Sequence, residues 1–589
     1  MFDLIIRGGT VIDGTGAAGF TADVAIRDGM IVEVGQVSGP ARDEIDARGA
    51  IVTPGFIDVH THYDGQFLWD DRLDPSFSHG VTTAIAGNCG VGFAPVQPEH
   101  RRALIELMEG VEEIPGVVLD EGLDWEWKSF PDYLERLASR HYTMDVAAQI
   151  THAPLRVFVM GERALKHEAA TPDDIAQMAR LVREAMDAGA IGFSGARLLE
   201  HLSSKGANVP GTFADDDELL GMAKALGDSG HGVFQIIPLG GVGASMYDQA
   251  GRDARRAEHD RIERIAEVSG RPLTYSLVQF NADGDDWLMM IELSERAEAR
   301  GLPITPQVGA RSVGAMTTLD GTHIFVLRKS YHEVAHLPLA ERVVALRDTA
   351  RRAAILSESS DPELVAADPQ LGAFIGMITT RIAGVFPMTL PLDYEPAPEG
   401  RLEVLAKAAG VSMEEYLYDH YTAGDGTNVC ASHVLNFVGG GLDGSYEMIK
   451  RDITASGLAD GGAHMKMICD ASMPTFMLTF WGRDRKRGPI LPVEHLVWKL
   501  SLKNAQLYGL NDRGSIAVGK RADINVIDFD RLALHMPRIA HDLPKGSPRM
   551  LQGATGYLAT MVSGEITRRQ DAETGARPGR LIRSSAAAH

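Results

Sequence analysis

Several features that define large classes of protein are scarce or missing in this sequence. The chain of 589 residues has three cysteines, Cys89, Cys430 and Cys469. So sparse and odd a set excludes a disulfide framework and favours a reducing compartment. No uncharged apolar run reaches membrane-spanning length, and the first residues, MFDLIIRGGTVIDGTG, lack the basic and apolar segments of a secretion signal. We therefore expect a cytoplasmic protein with no membrane partner.

Positive charge is also in deficit. There are 57 basic residues against 80 acidic ones, for a formal net charge of −23. Such a surface repels polyanions, so we expect no nucleic-acid partner and instead a small-molecule substrate; a homo-oligomer is left open. The length exceeds what one compact core usually needs, which predicts one large domain with additions.

Two common catalytic motifs are missing. There is no Gly-x-Ser-x-Gly sequence, which disfavours a serine hydrolase. GSIAVGK (514–520) imitates a phosphate-binding loop, but Arg521 stands where serine or threonine is required and no helical pattern follows. The chemistry must therefore be carried by other residues.

Short apolar runs alternate with helical patterns through the middle of the chain. One helical pattern is TPDDIAQMARLVREAMDAG (171–189), for which Thr171 fits the N-cap. Apolar strands alternating with helices predict a parallel sheet, and eight of them predict a closed barrel with its chemistry at the carboxyl ends of the strands. We predict an α/β fold, a (β/α)8 barrel of the TIM type. The eight runs are GFIDVHTH (55–62), TTAIAGNCG (82–90), DVAAQITHA (145–153), AIGFSGARL (190–198), HGVFQIIPLGG (231–241), PLTYSLVQF (272–280), LPITPQVGARS (302–312) and ITASGLADGGAH (453–464).

The two ends of the chain differ from the middle. Residues 1–53 and 506–589 hold short β-like runs broken by glycine and aspartate, which predict two parts of one small β-sandwich. The barrel is then assigned to residues 54–505, with an insertion at about 315–430 before the eighth strand. The last residues, GARPGRLIRSSAAAH, are predicted to form a loose tail.

The stretch GFIDVHTH places two histidines one residue apart at the end of the first run. Alternate side chains of a strand share a face, so His60 and His62 are predicted to point together toward the barrel mouth. Neutral imidazole binds zinc and related metals. Two histidines can also meet as hydrogen-bonded core groups, but the PGFID lead-in and the first-strand position favour metal binding.

Asp460 and Cys89 end two other runs. Barrel closure brings the eighth strand beside the first, so Asp460 is predicted to bind the same metal and to act as the general base that takes a proton from water. The alternative is an aspartate that starts a glycine-rich turn. Cys89, in AGNCGVG, is either a thiolate ligand or a small buried residue in a tight turn, and the residues alone favour neither.

Four more polar side chains are candidates for contact with substrate. His152, at the end of the third run, is predicted to be catalytic as an oxyanion donor; the alternatives are a ligand, a substrate-orienting group or a core histidine. Arg311, at the end of the seventh run, is predicted to hold a substrate carboxylate, with a solvated surface charge as the alternative. His464 and Asn88 complete the predicted substrate-binding set.

Several segments make the chain resemble the amidohydrolase superfamily. They are LIIRGGTVIDGTG, IVTPGFIDVHTH, the Asp460 segment, and RGSIAVGKRADINVIDFD with MVSGEI. Within the superfamily, GVTTAIAGNCGVGFAPV and AGAIGFSGA are most similar to the N-acyl-D-amino-acid deacylases (D-aminoacylases). The resemblance covers nearly the whole chain, and it implies that Cys89 matches the cysteine that ligates metal in that family.

The fifth and sixth strands depart from that family, which places a metal-binding histidine at the end of each. This chain has Ile-Ile-Pro at 236–238 and Leu-Val-Gln at 277–279. We therefore expect one zinc ion per chain, or another divalent metal, held by His60, His62, Cys89 and Asp460. Four protein ligands would fill a tetrahedral zinc ion, whereas catalysis needs an open position.

These observations predict a metal-dependent hydrolase of an amide-like C–N bond, and the resemblance implies an N-acyl-amino-acid deacylase. The missing histidines leave two alternatives. One is a lactone, carbamate or cyclic-amide hydrolase on the same site, and the other is a catalytically silent barrel used for binding or assembly. A deaminase is disfavoured, because mononuclear deaminases of this type also use the fifth-strand histidine.

Overall fold

The computed structural model describes residues 1–239, 249–280 and 285–585, and the fold is given for these residues. The chain opens with five strands separated by tight turns. Asp28 and Gly29, with φ of 51° and 74°, make the two-residue turn between the second and third strands. The strands are β1 (Phe2–Val11), β2 (Phe20–Arg27), β3 (Met30–Gly35), β4 (Ala41–Asp46) and β5 (Ile51–Pro54).

The middle of the chain forms a barrel of short, buried strands that pair in parallel. Gln149 separates two short strands, and its N–H donates to Ala86 O (3.0 Å), so both belong to the third strand of the barrel. The first seven barrel strands are β6 (Phe56–Asp58), β7 (Val81–Ala86), β8 (Asp145–Ala148) with β9 (Ile150–Thr151), β10 (Gly192–Ala196), β11 (Val233–Ile237), β12 (Leu273–Leu277) and β13 (Ile304–Val308).

Helices connect these strands. The predicted N-cap at Thr171 is confirmed, because its hydroxyl accepts from the Asp174 N–H (3.2 Å) and the Asp174 carboxylate accepts from the Thr171 N–H (2.8 Å). The helices are α1 (Arg101–Glu112), α2 (Gly116–Gly122), α3 (Phe130–Ala138), α4 (His152–Met160), α5 (Glu162–Leu165), α6 (Pro172–Asp187), α7 (Asp216–Ser229), α8 (Gln249–Ser269) and α9 (Asp286–Ala299).

A segment with its own core lies between the seventh and eighth barrel strands. Its antiparallel strands are β14 (Val313–Thr318), β15 (Val385–Pro387) and β16 (Val429–Leu435), in the order β14-β16-β15. Leu346, Ile355 and Tyr421 are among the buried side chains that pack together there. The helices of this segment are α10 (Lys329–His332), α11 (Leu339–Leu346), α12 (Thr349–Ser357), α13 (Pro362–Ala367), α14 (Pro369–Thr380), α15 (Leu402–Ala409) and α16 (Met413–Thr422).

The barrel closes where its eighth strand meets its first. After α17 (Asp443–Lys450), strand β17 (Ala455–Ser456) pairs in parallel with β13. The Asp460 N–H donates to His60 O (3.0 Å) and the His62 N–H donates to Gly461 O (2.7 Å). Asn504 bridges the same seam, since its Nδ2 donates to the carbonyl oxygens of residues 57 and 456 (both 2.9 Å). The predicted (β/α)8 barrel is therefore confirmed.

Both chain ends contribute to one nine-stranded sheet, in the order β25-β24-β23-β18-β5-β1-β2-β3, with β4 beside β1. Apolar side chains from both ends, including Ile26, Val52 and Ile524, share one core. The division into sandwich and barrel at residues 53 and 505 remains our proposal. The remaining elements are α18 (Met473–Phe476), α19 (Val493–Leu500), α20 (Leu502–Leu507), β18 (Ile524–Ile527), β19 (Ala533–Leu534), β20 (Arg538–Ala540), β21 (Arg549–Leu551), β22 (Ala554–Thr555), β23 (Tyr557–Val562), β24 (Glu565–Arg569) and β25 (Ala572–Glu573).

The prediction of a loose tail is wrong for the described part of the last segment. Gly579 exchanges two backbone hydrogen bonds with Tyr142 (2.9 and 3.1 Å), and the Ile582 N–H donates to Val146 O (2.7 Å). These bonds fix the tail to the barrel beside β8, a contact between residues over 400 positions apart that composition does not reveal. Among the described residues, no helix combines the length and the apolar character needed to cross a membrane.

Candidate metal centre

His60 and His62 lie just beyond β6, at the carboxyl end of the first barrel strand. Both side chains are buried, with residue exposures of 1%. The Thr61 hydroxyl between them donates instead to Ile85 O (2.9 Å) in the neighbouring strand. The two imidazoles thus share one face of the strand, as predicted, and their rings are 5.5 Å apart at a steep angle.

Cys89 completes a compact set of three donors. It lies in the turn after β7 with φ of 56°, and its Sγ is 3.3 Å from His60 Nε2 and 3.7 Å from His62 Nε2. Zinc bound at about 2.0–2.3 Å in a tetrahedron holds neighbouring ligand atoms about 3.3–3.6 Å apart. Among the described residues this is the one group of three or more such donors whose ligand atoms all lie within 4.8 Å. The donor set fits one zinc-like ion.

Asp460 faces the same two imidazoles from the eighth strand. Its Oδ1 is 3.4 Å from His60 Nε2 and 3.6 Å from His62 Nε2, although it is outside the compact group of three donors. Burial would raise the pKa of Asp460, but the contact with His62 and the neighbouring His60 and His464 outweigh it and lower the pKa. Asp460 is therefore anionic at neutral pH.

The ligand atoms differ in their protonation states, and a protonated atom has to lose its proton before it binds a cation. Burial lowers the pKa of His62 to about 4, so its ring is neutral at pH 7 and offers a lone pair. Burial, followed by the negative charges of Glu112 and Asp460, raises the pKa of the Cys89 thiol well above its ordinary value. Metal binding therefore has to displace the thiol proton.

A second layer of ionisable side chains surrounds the centre. Glu112, at the end of α1, places Oε1 3.3 Å from His62 Nδ1, and burial raises the pKa of this carboxyl to about 8. His464 Nδ1 is 3.0 Å from Glu113 Oε2, and its Nε2 is 3.9 Å from Glu112 Oε2. Burial opposes protonation of His464, but Glu113 and Glu112 outweigh it and raise the pKa to about 10. The predicted substrate-binding residue His464 is thus a cation beside Asp460.

The fifth and sixth strands carry no imidazole in their described residues. Ile237 and Leu277, at the ends of β11 and β12, are buried aliphatic side chains. The buried amide of Gln235 in β11 accepts a hydrogen bond from the Ser194 hydroxyl. Without the fifth- and sixth-strand histidines, the described residues offer no second cluster of three metal donors.

The structure gives no support to the catalytic role predicted for His152. Its Nε2 is 2.7 Å from Glu218 Oε1, and Arg156 Nη1 donates to the same carboxylate (2.9 and 3.1 Å). The backbone at Gly211 packs closely on the ring, and a Cβ there would be 2.7 Å from His152 Nδ1. The core-histidine alternative fits better, because Nε2 of His152 is bound to Glu218 and the backbone at Gly211 packs against the Nδ1 side of the ring.

Asn88 is likewise held by hydrogen bonds to the neighbouring barrel strands. Its Nδ2 donates to Thr61 O (3.1 Å) and Ile85 O (3.0 Å), and its Oδ1 accepts from Gln149 Nε2 (3.2 Å). These bonds tie the first, second and third barrel strands together next to Cys89. Asn88 therefore has a structural role, and its predicted contact with substrate stays a prediction.

Arg311 is buried rather than exposed at the surface. Its residue exposure is 1%, its guanidinium is 2.7 Å from Asp470 Oδ1, and its Nη2 donates to Cys469 O (2.9 Å). The guanidinium also lies over the Tyr394 ring, 4.9 Å from its centroid. The alternative of a solvated surface charge is wrong, because the guanidinium is buried and paired with Asp470. The substrate-clamp role of Arg311 stays a prediction.

We expect Arg311→Met to lower the free energy of unfolding by about 3–5 kcal/mol, because it leaves Asp470 buried without its counter-ion. Urea unfolding followed by circular dichroism measures this change, and Arg311→Met/Asp470→Leu, which removes both charges, should recover much of it. A variant of normal stability with a raised KM would instead support the substrate-clamp role.

Three residues at the centre were not predicted: Glu112, Gln307 and His201. Glu112 and Gln307 contact the imidazoles but come from α1 and β13, far from them in the chain. His201 follows β10 on a loop, and burial, followed by the charges of His464 and His62, lowers its pKa to about 3. For Gln307 the sequence does hold one signal of a role at the centre, because it is a polar side chain within an apolar strand.

Comparisons with known proteins identify the family of the chain. A family model described as "Amidohydrolase family" matches residues 43–568. D-aminoacylase of Alcaligenes xylosoxydans xylosoxydans is 38% identical over 194 residues, a match that covers 33% of this chain and 37% of that protein, so it spans well under two thirds of this relative.

Two solved structures share the fold over the full length. A D-aminoacylase described by its binuclear metal center, with one-metal activation and second-metal attenuation, is 24% identical with a TM-score of 0.63 and covers 99% of this chain and 100% of that one. An N-acyl-D-glutamate deacylase from Bordetella bronchiseptica, complexed with zinc and a phosphonate inhibitor, is 21% identical with a TM-score of 0.63 and the same coverage.

Proposed function

The chain belongs to the amidohydrolase family, and from this premise and the geometry of its site we propose that it is a metal-dependent hydrolase of an amide-like C–N bond. The observation that carries the proposal is the convergence of His60 Nε2, His62 Nε2 and Cys89 Sγ, with Asp460 against both imidazoles. A purely structural barrel has no need for such a set of buried, mutually close metal donors.

We propose one zinc ion per chain, held by His60, His62 and Cys89. When bound, the metal would polarise the substrate carbonyl and acidify water. Since Asp460 lies outside the compact group of three donors, it can face a fourth, open position, which a catalytic zinc site requires and a four-ligand site lacks. The alternative, Asp460 as a fourth ligand, would close the site.

Asp460 is proposed as the general base. Its carboxylate is anionic near neutral pH, the form that accepts a proton, and it is held by the backbone bond to His60 at the seam of the barrel. His464 adds a positive side chain on the same segment, and we propose that it attracts the negatively charged part of the substrate. His152 takes no part in this scheme.

We propose an N-acyl-amino acid as the substrate, a D-amino acid derivative by analogy with the relatives. A lactone, a carbamate or a cyclic amide remains the second candidate, favoured by the absence of imidazoles at 236–238 and 277–279. A silent binding barrel is disfavoured, because the chain has all three donors close together and Asp460 lies against both imidazoles.

The proposal predicts about one zinc-like ion per chain in the purified protein. Elemental analysis after metal supplementation measures it, and a panel of N-acyl-D- and N-acyl-L-amino acids, lactones and cyclic amides identifies the bond that is cleaved. Less than about a tenth of an equivalent of bound metal would exclude a metal enzyme. Full metal content with no turnover on any member of the panel would favour the silent barrel.

A further inference from the structure

One buried side chain outside the ligand set determines how His60 faces the metal position. Gln307, in β13, is fully buried, and its Oε1 is 2.9 Å from His60 Nδ1. On the opposite side of the ring, His60 Nε2 faces Cys89 Sγ and Asp460 Oδ1 at 3.3 and 3.4 Å. The Nδ1 atom of His60 therefore faces the Gln307 amide, and its Nε2 atom faces the other metal donors.

The chemistry of the amide oxygen decides the tautomer. A carbonyl oxygen can only accept a hydrogen bond, so the contact requires the proton of neutral His60 to be on Nδ1. The lone pair is then on Nε2, where the other donors converge. In the opposite tautomer Nε2 would carry the proton, and the ring could not ligate there without rearranging.

A glycine of the neighbouring chain segment packs closely against the Gln307 amide. Gly457, just after β17, packs directly against Gln307, and a Cβ at residue 457 would be 2.7 Å from Gln307 Oε1. The buried Tyr508 side chain lies near the same amide. The place of Gln307 is therefore set by the eighth strand and by the segment after α20.

His62 has a different environment on its Nδ1 side. Its neighbour there is the Glu112 carboxyl group at 3.3 Å, which does not form a hydrogen bond of good geometry. The neutral amide at His60 is thus the better-defined of the two contacts. Partners of this kind fix the orientation of a metal-binding histidine and raise its basicity.

We propose that Gln307 is a positioning residue: its amide oxygen fixes the Nδ1–H tautomer of His60 and so presents Nε2 to the metal. The inference rests on the proposed function, since it concerns the same metal centre. It adds a residue from the seventh strand to that centre, and it makes metal affinity depend on a side chain that does not touch the ion.

The test is the zinc affinity of purified variants, measured by competition with a chromophoric chelator. Gln307→Met keeps the length of the side chain but loses the acceptor, and we expect it to bind zinc about 10–100-fold more weakly. Gln307→Glu retains an acceptor oxygen and should stay within a few-fold of wild type. The matched control is Gln235→Met, a buried glutamine of β11 whose described partner is Ser194, with wild-type affinity expected.

A second variant reaches Gln307 without altering it. Gly457 has no positive φ, so Gly457→Ala adds a methyl group that displaces the amide oxygen without backbone strain. We expect a weakening of zinc binding of about tenfold. Replacement of zinc by cobalt(II) gives a readout independent of activity, because the absorption bands of the bound ion should change in Gln307→Met and Gly457→Ala and remain unchanged in Gln235→Met.

The outcomes separate this inference from the proposed function. Wild-type zinc affinity and an unchanged cobalt spectrum in folded Gln307→Met would overturn the positioning role while leaving the metal enzyme intact. Equal weakening by Gln307→Met and Gln307→Glu would show that the amide acts as a donor or through packing alone, which also overturns it. Failure of the wild-type protein itself to bind zinc would overturn the proposed function.

Discussion

Asp460→Asn is expected to lower kcat by about 100- to 10,000-fold, the usual contribution of a general base, while zinc remains bound. The amide has nearly the shape of the carboxylate, and asparagine tolerates the left-handed backbone at this position, where φ is 47°. The variant therefore removes the proton acceptor but keeps the fold and the three compact donors. Turnover on the substrate found by the panel and metal content are measured on the same preparation.

The control for this variant is Asp452→Asn, an exposed aspartate just before β17, which should leave kcat unchanged. A near-normal rate in Asp460→Asn would remove the general-base role. Loss of zinc together with loss of rate would instead identify Asp460 as a ligand of the metal, and would favour the closed four-ligand arrangement over the open site proposed above.

The architecture of the barrel could be read from the sequence because it depends on local patterns. Each strand is a short apolar run covered on both faces, and the capping box at Thr171 is a contact within one turn of helix. The contacts of the chain ends, by contrast, are with residues far away in the sequence. The bonds of Gly579 to Tyr142 join distant parts of the chain, so the Pro/Gly/Ala composition of the tail gave the wrong prediction.

For the candidate site, too, the features that follow from local strand patterns could be predicted and those that depend on distant contacts could not. His60, His62, Cys89 and Asp460 end barrel strands, and barrel topology alone predicts that such residues meet. Arg311 also follows a strand, but its charge is neutralised by Asp470 from another part of the fold, which no strand pattern reveals. The position of a residue at the end of a barrel strand thus predicts which residues lie near it. Its role depends on the partners that the tertiary structure brings to it.

The same reasoning explains why Glu112 and Gln307 were missed. Both lie against the Nδ1 atoms of the imidazoles, so neither needs the motif spacing that marks a ligand. Gln307 occupies the seventh strand, whose interior position is visible in the sequence, but its hydrogen bond to His60 depends on the room left by Gly457. Residues that orient ligands are therefore found from contacts rather than from motifs.

Cys89→Ala should weaken zinc binding by at least about 100-fold, because the site loses its thiolate and keeps only two imidazoles within the compact set. Cys430→Ala is the matched control: Cys430 is also a free, fully buried cysteine, but it lies in β16 of the insertion. Zinc affinity by chelator competition should be normal in this control. If both variants bind zinc like the wild type, Cys89 is the small turn residue of the alternative interpretation.

The pH dependence of zinc binding distinguishes ligation by Cys89 from a packing effect. Burial and the nearby Glu112 and Asp460 charges raise the pKa of the Cys89 thiol, so the metal-free protein carries this proton at neutral pH. Zinc needs the thiolate, and binding releases the proton. Below the raised pKa, each unit of increase in pH should therefore raise the affinity of the wild type about tenfold more than that of Cys89→Ala. Equal pH slopes for the two proteins would show that the sulfur of Cys89 does not bind the metal.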